Sequence, residues 1–319
     1  MRILLTNDDG IRAPGILAVH DAITRGTPRA AGPLRCSTNS NEPSCLVVAP
    51  LTVQSATSHG ITFHTPLMMR EETLPHLQDL PGTRENTMGV GVDGRPADCV
   101  KLAVSSVWPQ RFGANSKPDL LISGINAGAN CGINVIYSGT VAAAIEGAFL
   151  GIPSIALSLR LGRGKVRWDL AAARARYALD AVLANGGPRP YEILSINIPA
   201  TEERGKGEGG GSGWSGSRPQ ERGRFDPAPA AAHDDPTIMP PIRACPMNVH
   251  GLIDKYERRE SPLGDTYFWA AGHGLDFHAT EPGSDVDLLM QGYITVTPLK
   301  FDLTDHELVD AWKMRLGGA

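Results

Sequence analysis

The N-terminal stretch Ile3-Leu4-Leu5-Thr6-Asn7-Asp8-Asp9-Gly10 carries the strongest indication of the architecture of this chain. Its apolar first half predicts a buried strand, and Gly10 permits a sharp exit from that strand because glycine tolerates a positive φ. Two carboxylates and an amide at the end of a strand form an all-oxygen cluster, which suits a hard divalent cation such as Mg²⁺ or Mn²⁺. Taken alone, Asn-Asp-Asp-Gly is better explained as a turn.

Beyond this strand, short apolar runs alternate with helical stretches as far as about residue 160. The pattern predicts further strands at Cys45–Ala49, Asp119–Ser123 and Ile155–Leu157, and helices at residues 14–26, 97–107 and 140–150. Continuous apolar strands separated by helices indicate an α/β fold with a mostly parallel sheet. We therefore expect an α/β core that extends over residues 1–200.

Two segments interrupt the pattern. Residues 26–44 are rich in Pro, Ser, Asn and Gly, and we predict a surface insertion there. Residues 203–241 contain a glycine run and repeated prolines, which predict a disordered insertion. Residues 242–319 are predicted to form a smaller β-rich extension with strands at Tyr267–Trp269 and Gly292–Pro298, closed by a helix at His306–Met314.

Composition and charge exclude several classes of protein. The net charge of −4 gives no basic surface for a nucleic-acid duplex, and no apolar run is long enough to cross a membrane. The five cysteines are odd in number and lack C-x-x-C spacing, so a disulfide framework or a zinc site is not expected. Because Met1 leads almost directly into the first strand, we expect no leader peptide and a cytoplasmic location, with an organelle left open.

Polar clusters follow three of the predicted strands. Asn7-Asp8-Asp9 follows the first strand, Gln54–His59 the second, and Gly124–Asn130 the third. Ligands bind beyond the carboxyl ends of the strands in an open parallel sheet, and these ends lie at one edge. The convergence favours a metal site of carboxylate, hydroxyl and amide oxygens over a simple turn.

Single residues of these clusters also have purely structural explanations. Ser55 is ordinarily a loop hydroxyl, and Asn126 could be a left-handed turn residue. His59 is predicted to lie near the ligands without binding the metal, or to act as a general acid. Asn7 and Asn130 are predicted to lie near the ligands without binding the metal.

A candidate phosphate site precedes the helix predicted at residues 140–150. Unpaired N–H groups and the positive end of a helix attract anions, so Ser138, Gly139 and Thr140 are predicted to bind a phosphate. The alternative is a Ser/Thr helix cap, worth about 1 kcal/mol. A metal cluster beside a phosphate cradle indicates hydrolysis of a phosphate ester.

Taken together, these segments resemble the SurE family, the stationary-phase survival protein E nucleotidases. The resemblance covers most of the chain apart from the two insertions. It is carried by Met1–Ile11 with Ala13-Pro14-Gly15, Val47–Pro50 with Gln54-Ser55-Ala56, Pro118–Leu159, and Gly292–Leu299 with Asp302-Leu303-Thr304.

The resemblance implies a Rossmann-like core and a metal-dependent phosphatase of nucleoside 5′-monophosphates, with 3′-monophosphates open as substrates. It implies that Asp8, Asp9, Ser55 and Asn126 bind one divalent ion per subunit, Mg²⁺ or Mn²⁺. Asp8 and Asp9 would be the catalytic pair, with Asp9 as ligand or general base. Family members are dimers or tetramers that exchange C-terminal elements, so a homodimer or homotetramer is expected. Leu51 and Arg95 depart from the family pattern and leave substrate preference open.

Two competing functions remain at this point. A haloacid-dehalogenase-type phosphatase needs aspartates at alternating positions after the first strand, where this chain has Asn7 and Asp9, and an amide is a poor nucleophile. A binding module that holds a nucleotide or metal without turnover is the other, and the intact set of oxygen ligands argues against it.

Overall fold

The computed structural model describes residues 1–34, 44–75, 87–162, 164–202, 238–271 and 275–317. Most of the insertion predicted to be disordered at 203–241 lies outside the described residues, as does part of the insertion predicted at 26–44. The short strands β2 (Gly26–Thr27) and β3 (Ala30–Ala31) form a small antiparallel ribbon in the described part of the insertion predicted at 26–44.

Nine strands of the described chain form one central sheet: β1 (Arg2–Thr6), β4 (Ser44–Pro50), β5 (Met69–Leu74), β6 (Thr87–Val92), β7 (Leu120–Ala127), β8 (Ser154–Leu159), β9 (Ile193–Ile198), β10 (Ile242–Ala244) and β13 (Ile294–Leu299). Their order is β10-β13-β9-β8-β7-β1-β4-β6-β5. The six strands from β9 to β6 are parallel, whereas β5 and β13 run antiparallel to their neighbours β6 and β9. The predicted α/β class with a mostly parallel sheet is therefore confirmed.

Helices cover both faces of this sheet. They are α1 (Pro14–Thr24), α2 (Pro96–Leu102), α3 (Trp108–Phe112), α4 (Gly139–Phe149), α5 (Trp168–Ala184) and α6 (Asp285–Met290), whereas the last helix, α7 (His306–Arg315), buries none of its residues. The helix predicted at 97–107 changes to a π-helical turn after Leu102. A 3₁₀ turn at Gly132–Ile136 leads into α4.

The alternation of side chains along β1 divides the core into two layers. Ile3 and Leu5 pack with α1 and α5 on one face, while Leu4 packs with α2 and α4 on the other. All three side chains are fully buried. Because both faces of β1 are covered by helices, its sequence is a continuous apolar run rather than an alternating one.

The C-terminal segments contribute to the central sheet as well as to a separate hairpin. The predicted strand near Tyr293 is β13, which pairs with β9. The predicted strand at Tyr267–Trp269 lies in β12 (Thr266–Ala270), which pairs with β11 (Tyr256–Glu260) in a two-stranded antiparallel sheet. The boundary predicted between a core and a C-terminal part stays a prediction, and β10 and β13 attach both parts to one sheet.

The sequence pattern did not indicate β5, β6, β9 or α5. Strand β6 contains Gly89 and Gly91, which are poor strand formers. A Cβ at Gly89 would lie 2.9 Å from the side chain of Leu74, and one at Gly91 would lie 2.3 Å from that of Leu51. These glycines are required by close packing, which no local signal reveals.

Candidate metal and phosphate site

The parallel pairing directs the carboxyl ends of β1, β4 and β7 to the same side of the sheet. Thr6 at the end of β1 pairs with Ser123 in β7, and Leu5 pairs with Val47 in β4. The loops that carry the three predicted polar clusters therefore leave the sheet at one edge. Hydrogen bonds connect the loop after β1 to the loop after β4 and to the end of β7.

Asp8 is the point where three elements meet. Its side chain is buried, and its Oδ1 accepts a 2.5 Å hydrogen bond from the hydroxyl of Thr140 in α4. Its backbone carbonyl accepts a 2.7 Å bond from the N–H of Gln54 in the loop after β4. A Cβ on Gly139 would lie 2.9 Å from the Cβ of Asp8, so only glycine lets α4 approach this closely.

Asp9 is joined to the end of β7. Its Oδ2 accepts a 2.8 Å hydrogen bond from the backbone N–H of Ala127. The preceding residue, Asn126, donates its amide N–H to the carbonyl of Gly128 at 2.8 Å, which fixes the orientation of that amide. Its oxygen is the end of the amide that does not make this bond. Asp9 therefore bonds to the residue that directly follows Asn126.

Ser55 is the most exposed of the four predicted ligands. It lies in the irregular loop at residues 51–60, next to Gln54, whose N–H binds the carbonyl of Asp8. The backbone of Ser55 is therefore one residue from a direct contact with Asp8. The loop, rather than a strand or helix, determines where its hydroxyl lies.

The electrostatics of the pair favour a bound cation. Burial raises the pKa of Asp8 to about 6, the hydrogen bond from Thr140 opposes that shift, and the charge of Asp9 adds to it. Burial also raises the pKa of Asp9, against the hydrogen bond from Ala127. Among the described residues neither carboxylate has an ion pair with a basic side chain. Two adjacent, poorly solvated carboxylates without a basic partner remain ionised most readily when a cation binds them.

The donor atoms fit a hard divalent cation. Within the described part of the chain, no three His, Cys, Asp or Glu side chains cluster as a metal site. The predicted set, two carboxylates with the hydroxyl and amide oxygens of Ser55 and Asn126, is all-oxygen, of the kind that Mg²⁺ and Mn²⁺ prefer. Among the described residues, Asn7 Oδ1 is also buried without a hydrogen-bond partner.

The start of α4 is engaged with Asp8. Ser138 accepts a 3.1 Å bond from the N–H of Val141 and so caps the helix. The hydroxyl of Thr140 is used by Asp8, and the backbone N–H of Thr140 also lowers the pKa of Asp8. Both hydroxyls predicted to bind phosphate thus make protein contacts, and the positive end of α4 faces the carboxylate.

The three predicted supporting residues have different environments. Asn7 is buried and donates to the carbonyl of Gly10 at 2.8 Å, which closes the turn that presents Asp8 and Asp9. Asn130 joins the loop after β7 to its neighbours, because its N–H donates to Asn197 at 2.8 Å and its side chain to Ser158 at 2.9 Å. Asn7 therefore closes the turn that carries the two aspartates, and Asn130 joins neighbouring strands.

His59 contacts α4, and within the described residues it makes no hydrogen bond with the four predicted ligands. Its Nε2 lies 2.9 Å from a carboxylate oxygen of Glu146, and its ring stacks on Phe149 with 5.5 Å between ring centroids. Glu146 is a buried acidic residue that sequence reasoning missed. Its position in a small-residue helix gave no sign that it would be paired.

A cavity of about 470 Å³ lies away from this cluster, between α1, α5 and the β2–β3 ribbon. It is lined by residues such as Asp21, Arg29 and Trp168, and by none of the predicted site residues. The candidate site is therefore identified by its chemistry and not by the size of a cavity. None of the described helices is both long and apolar enough to cross a membrane.

Comparison with known proteins gives one consistent family. The family described as Survival protein SurE matches residues 3–210. The chain is 33% identical to the 5′-nucleotidase SurE of Pelotomaculum thermopropionicum, an alignment that covers 99% of this chain and 95% of that protein. It is 34% identical to 5′-nucleotidase SurE 1 of Thermus thermophilus, which covers 100% of this chain and 99% of the relative. The crystal structure of the SurE protein from Aquifex aeolicus matches with a TM-score of 0.66 at 28% identity, covering 99% of this chain and 100% of that one.

Proposed function

Because the chain belongs to the survival protein SurE family, we propose that it hydrolyses nucleoside 5′-monophosphates to nucleoside and phosphate. It is a phosphoric monoester hydrolase of the 5′-nucleotidase type. We further propose that 3′-monophosphates are substrates. One divalent cation per subunit, Mg²⁺ or Mn²⁺, would be bound by Asp8, Asp9, Ser55 and Asn126.

One observation carries the metal-dependent part of the proposal. Asp8 and Asp9 are adjacent carboxylates beyond the carboxyl end of β1, and the positive end of α4 directly faces Asp8. Without a cation, the two negative charges would repel a phosphate monoester. With a cation between them and the substrate, the same arrangement attracts it.

Each residue has a defined task in this proposal. When bound, the cation would neutralise charge on the phosphoryl oxygens and lower the pKa of an attacking water. Thr140 fixes Asp8 in the orientation in which its other oxygen is available to the cation. Asp9, whose Oδ2 accepts a hydrogen bond from the N–H of Ala127, would bind the cation or accept a proton from the water. The start of α4 at Ser138, Gly139 and Thr140 would bind the phosphate, with the positive end of the helix stabilising charge on the phosphoryl group, although the N–H groups of Ser138 and Thr140 already bond to Val135 and Asp8.

The environment of Asn7 counts against an aspartyl-phosphate mechanism. A nucleophile for that chemistry would stand at residue 7 or 9. Asn7 is fully buried, and its amide is used to close the turn at Gly10. A binding module without turnover is disfavoured because the oxygen ligands are all present and three of them are positioned by direct hydrogen bonds.

The proposal is tested by phosphate release from a panel of nucleoside 5′- and 3′-monophosphates. The purified chain should release phosphate with added Mn²⁺ or Mg²⁺ and lose the activity in EDTA. The Asp8→Asn variant should reduce metal-dependent turnover by about 100-fold or more. Full turnover by that variant, or turnover unaffected by EDTA, would refute the assigned metal site.

We also propose that the chain forms a homodimer or homotetramer in a reducing compartment such as the cytoplasm. The β11–β12 hairpin exposes Tyr267, Phe268 and Trp269, and α7 exposes Trp312. Exposed aromatic groups of this kind are typical of protein interfaces. The four cysteines of the described residues are free thiols, which suits a reducing environment. Sedimentation equilibrium would give the number of subunits.

A further inference from the structure

The loop at residues 51–60 carries Ser55 in a backbone conformation that needs outside support. Ala56 and Ser58 adopt φ values of 56° and 54°. Left-handed backbone costs non-glycine residues on the order of 1 kcal/mol each, and it persists only where surrounding contacts impose it. The contacts that hold this loop therefore determine where the Ser55 hydroxyl lies.

On the C-terminal side of Ser55, the loop is attached to the start of α4 by Ser58. The backbone N–H of Ser58 donates to the carbonyl of Tyr137 at 3.1 Å. The hydroxyl of the same residue donates to the carbonyl of Ile136 at 2.7 Å. Both acceptors lie directly before Ser138, which caps α4, so the loop follows the position of that helix.

The side chain of the next residue, His59, contacts two residues in the body of α4. Its Nε2 lies 2.9 Å from Glu146 Oε2, and the ring stacks nearly parallel to Phe149 with an interplanar angle of 12°. Glu146 is buried, and its other oxygen accepts a 2.9 Å hydrogen bond from Lys101 of α2. Lys101 thus supplies the positive charge that balances the buried carboxylate.

Helix α4 holds two parts of the candidate metal site at once. Thr140 in its first turn bonds to Asp8, and Glu146 bonds to the histidine that ends the Ser55 loop. The two residues are six positions apart, or about 9 Å along the helix axis. A rigid helix therefore relates the position of Asp8 to that of the loop.

We propose that Glu146 is a positioning residue, which holds the Ser55 loop through His59 so that the Ser55 hydroxyl lies beside Asp8. This inference rests on the function proposed above for the same site. It adds that metal affinity depends on a carboxylate that does not touch the metal. Partners of this indirect kind alter metal affinity by about 10- to 100-fold when they are removed.

The test measures Mn²⁺ binding to the full chain by titration calorimetry, which does not depend on turnover. His59→Ala removes a half-exposed ring, and we expect Mn²⁺ to bind about tenfold more weakly. Glu146→Met keeps the approximate volume of the buried side chain but removes the acceptor for His59, so it should weaken binding in the same direction. His59→Gln retains an N–H donor for Glu146 and should restore most of the affinity.

The matched control is Lys101→Met, which removes the other partner of Glu146 and leaves the contact with His59 in place. We expect this variant to bind Mn²⁺ within about twofold of the wild type. Hydrogen exchange of the metal-free proteins provides a second readout. His59→Ala should accelerate exchange at residues 52–60 and leave α4 unchanged.

Three outcomes would overturn the inference. One is Mn²⁺ affinity within twofold of wild type for both His59→Ala and Glu146→Met. Another is a lower melting temperature with unchanged affinity and unchanged loop exchange, which would make the pair merely structural. The third is a wild-type chain that neither binds Mn²⁺ nor releases phosphate, which would remove the proposed function as well. In the first two cases the proposed function stands.

Discussion

The hydroxyl of Thr140 lies 2.5 Å from Asp8 Oδ1, so the first turn of α4 is bonded directly to a carboxylate at the end of β1. Both side chains are buried. The bond engages Oδ1 of Asp8, and the backbone N–H of Thr140 also bonds to this carboxylate. It also connects a helix start, predicted as an anion site, with a carboxylate, predicted as a metal ligand.

The metal-free Asp8→Asn variant should be more stable than the metal-free wild type near neutral pH. The pKa of Asp8 rises from 3.8 to about 6 in the folded protein. Because the folded-state value is the higher one, stability falls as the pH rises from about 4 to 6, and it stays lower above 6. A shift of this size corresponds to roughly 3 kcal/mol, and an amide avoids that cost while still accepting from Thr140.

Urea denaturation in EDTA at about pH 7 and about pH 4 measures this effect. The stability advantage of Asp8→Asn should be large at the higher pH and nearly absent at the lower one. Equal stability of the two proteins at neutral pH would show that Asp8 is well solvated.

Replacing Thr140 by valine should impair the site with little change in shape. The substitution removes a buried donor to a carboxylate, an interaction worth about 1.5 to 3 kcal/mol. We expect the pKa of Asp8 to rise further and kcat/KM to fall by about 10- to 100-fold. Thr140→Ser retains the hydroxyl and is the control. Equal kcat/KM values for the valine and serine variants would rule out a role for the hydrogen bond.

Two glycines of α4 should respond differently to alanine. A Cβ at Gly139 would lie 3.0 Å from Asp8 Oδ2, whereas one at Gly147 would lie 2.6 Å from the hydroxyl of Ser154, in the sheet. Gly139→Ala should therefore reduce Mn²⁺ affinity and turnover, and Gly147→Ala should mainly lower the melting temperature by overpacking the core, at a cost of about 1 to 3 kcal/mol. Calorimetric titration and thermal unfolding of both variants separate these effects. The assignment fails if both alanine variants lower the melting temperature without changing Mn²⁺ affinity.

The two asparagines in the loop after β7 should also separate. Asn130 is buried and hydrogen-bonded to Asn197 and Ser158, so Asn130→Ala should cost about 1 to 3 kcal/mol of stability. Asn126 is half-buried and is a proposed ligand, so Asn126→Ala should weaken Mn²⁺ binding with a smaller loss of stability. Denaturant titration and Mn²⁺ binding of both variants provide the comparison. If Asn126→Ala instead lost more stability and Asn130→Ala lost more Mn²⁺ affinity, the proposed roles of the two residues would be reversed.

Local sequence patterns predicted the elements that form the centre of the fold. Continuous apolar runs mark β1, β4, β7 and β8 because these strands are covered on both faces. The same patterns failed at β6, where two glycines fit under neighbouring side chains from distant parts of the chain. Close packing of this kind depends on the partner surface, so the strand itself carries no signal for it.

The candidate site shows the same division. Oxygen-bearing residues after parallel strands predicted a metal site at one side of the sheet, and the family resemblance implied Asp8, Asp9, Ser55 and Asn126 as its ligands. Sequence could not show that Thr140 bonds to Asp8, since the two residues are 132 positions apart. Nor could it show that His59 is held by Glu146, because that contact depends on how the loop lies on α4.

The sequence by itself determined the α/β class, the family and the oxygen chemistry of the site, because periodicity and residue type are local properties. Tertiary structure alone decided which side chains support that chemistry. The parallel pairing directs the carboxyl ends of the strands to one side of the sheet, and the close approach of α4 at Gly139 directs the helix start at Asp8. Contacts between distant segments raise the pKa of Asp8 and hold the loop of Ser55, so they appear only when the chain has folded.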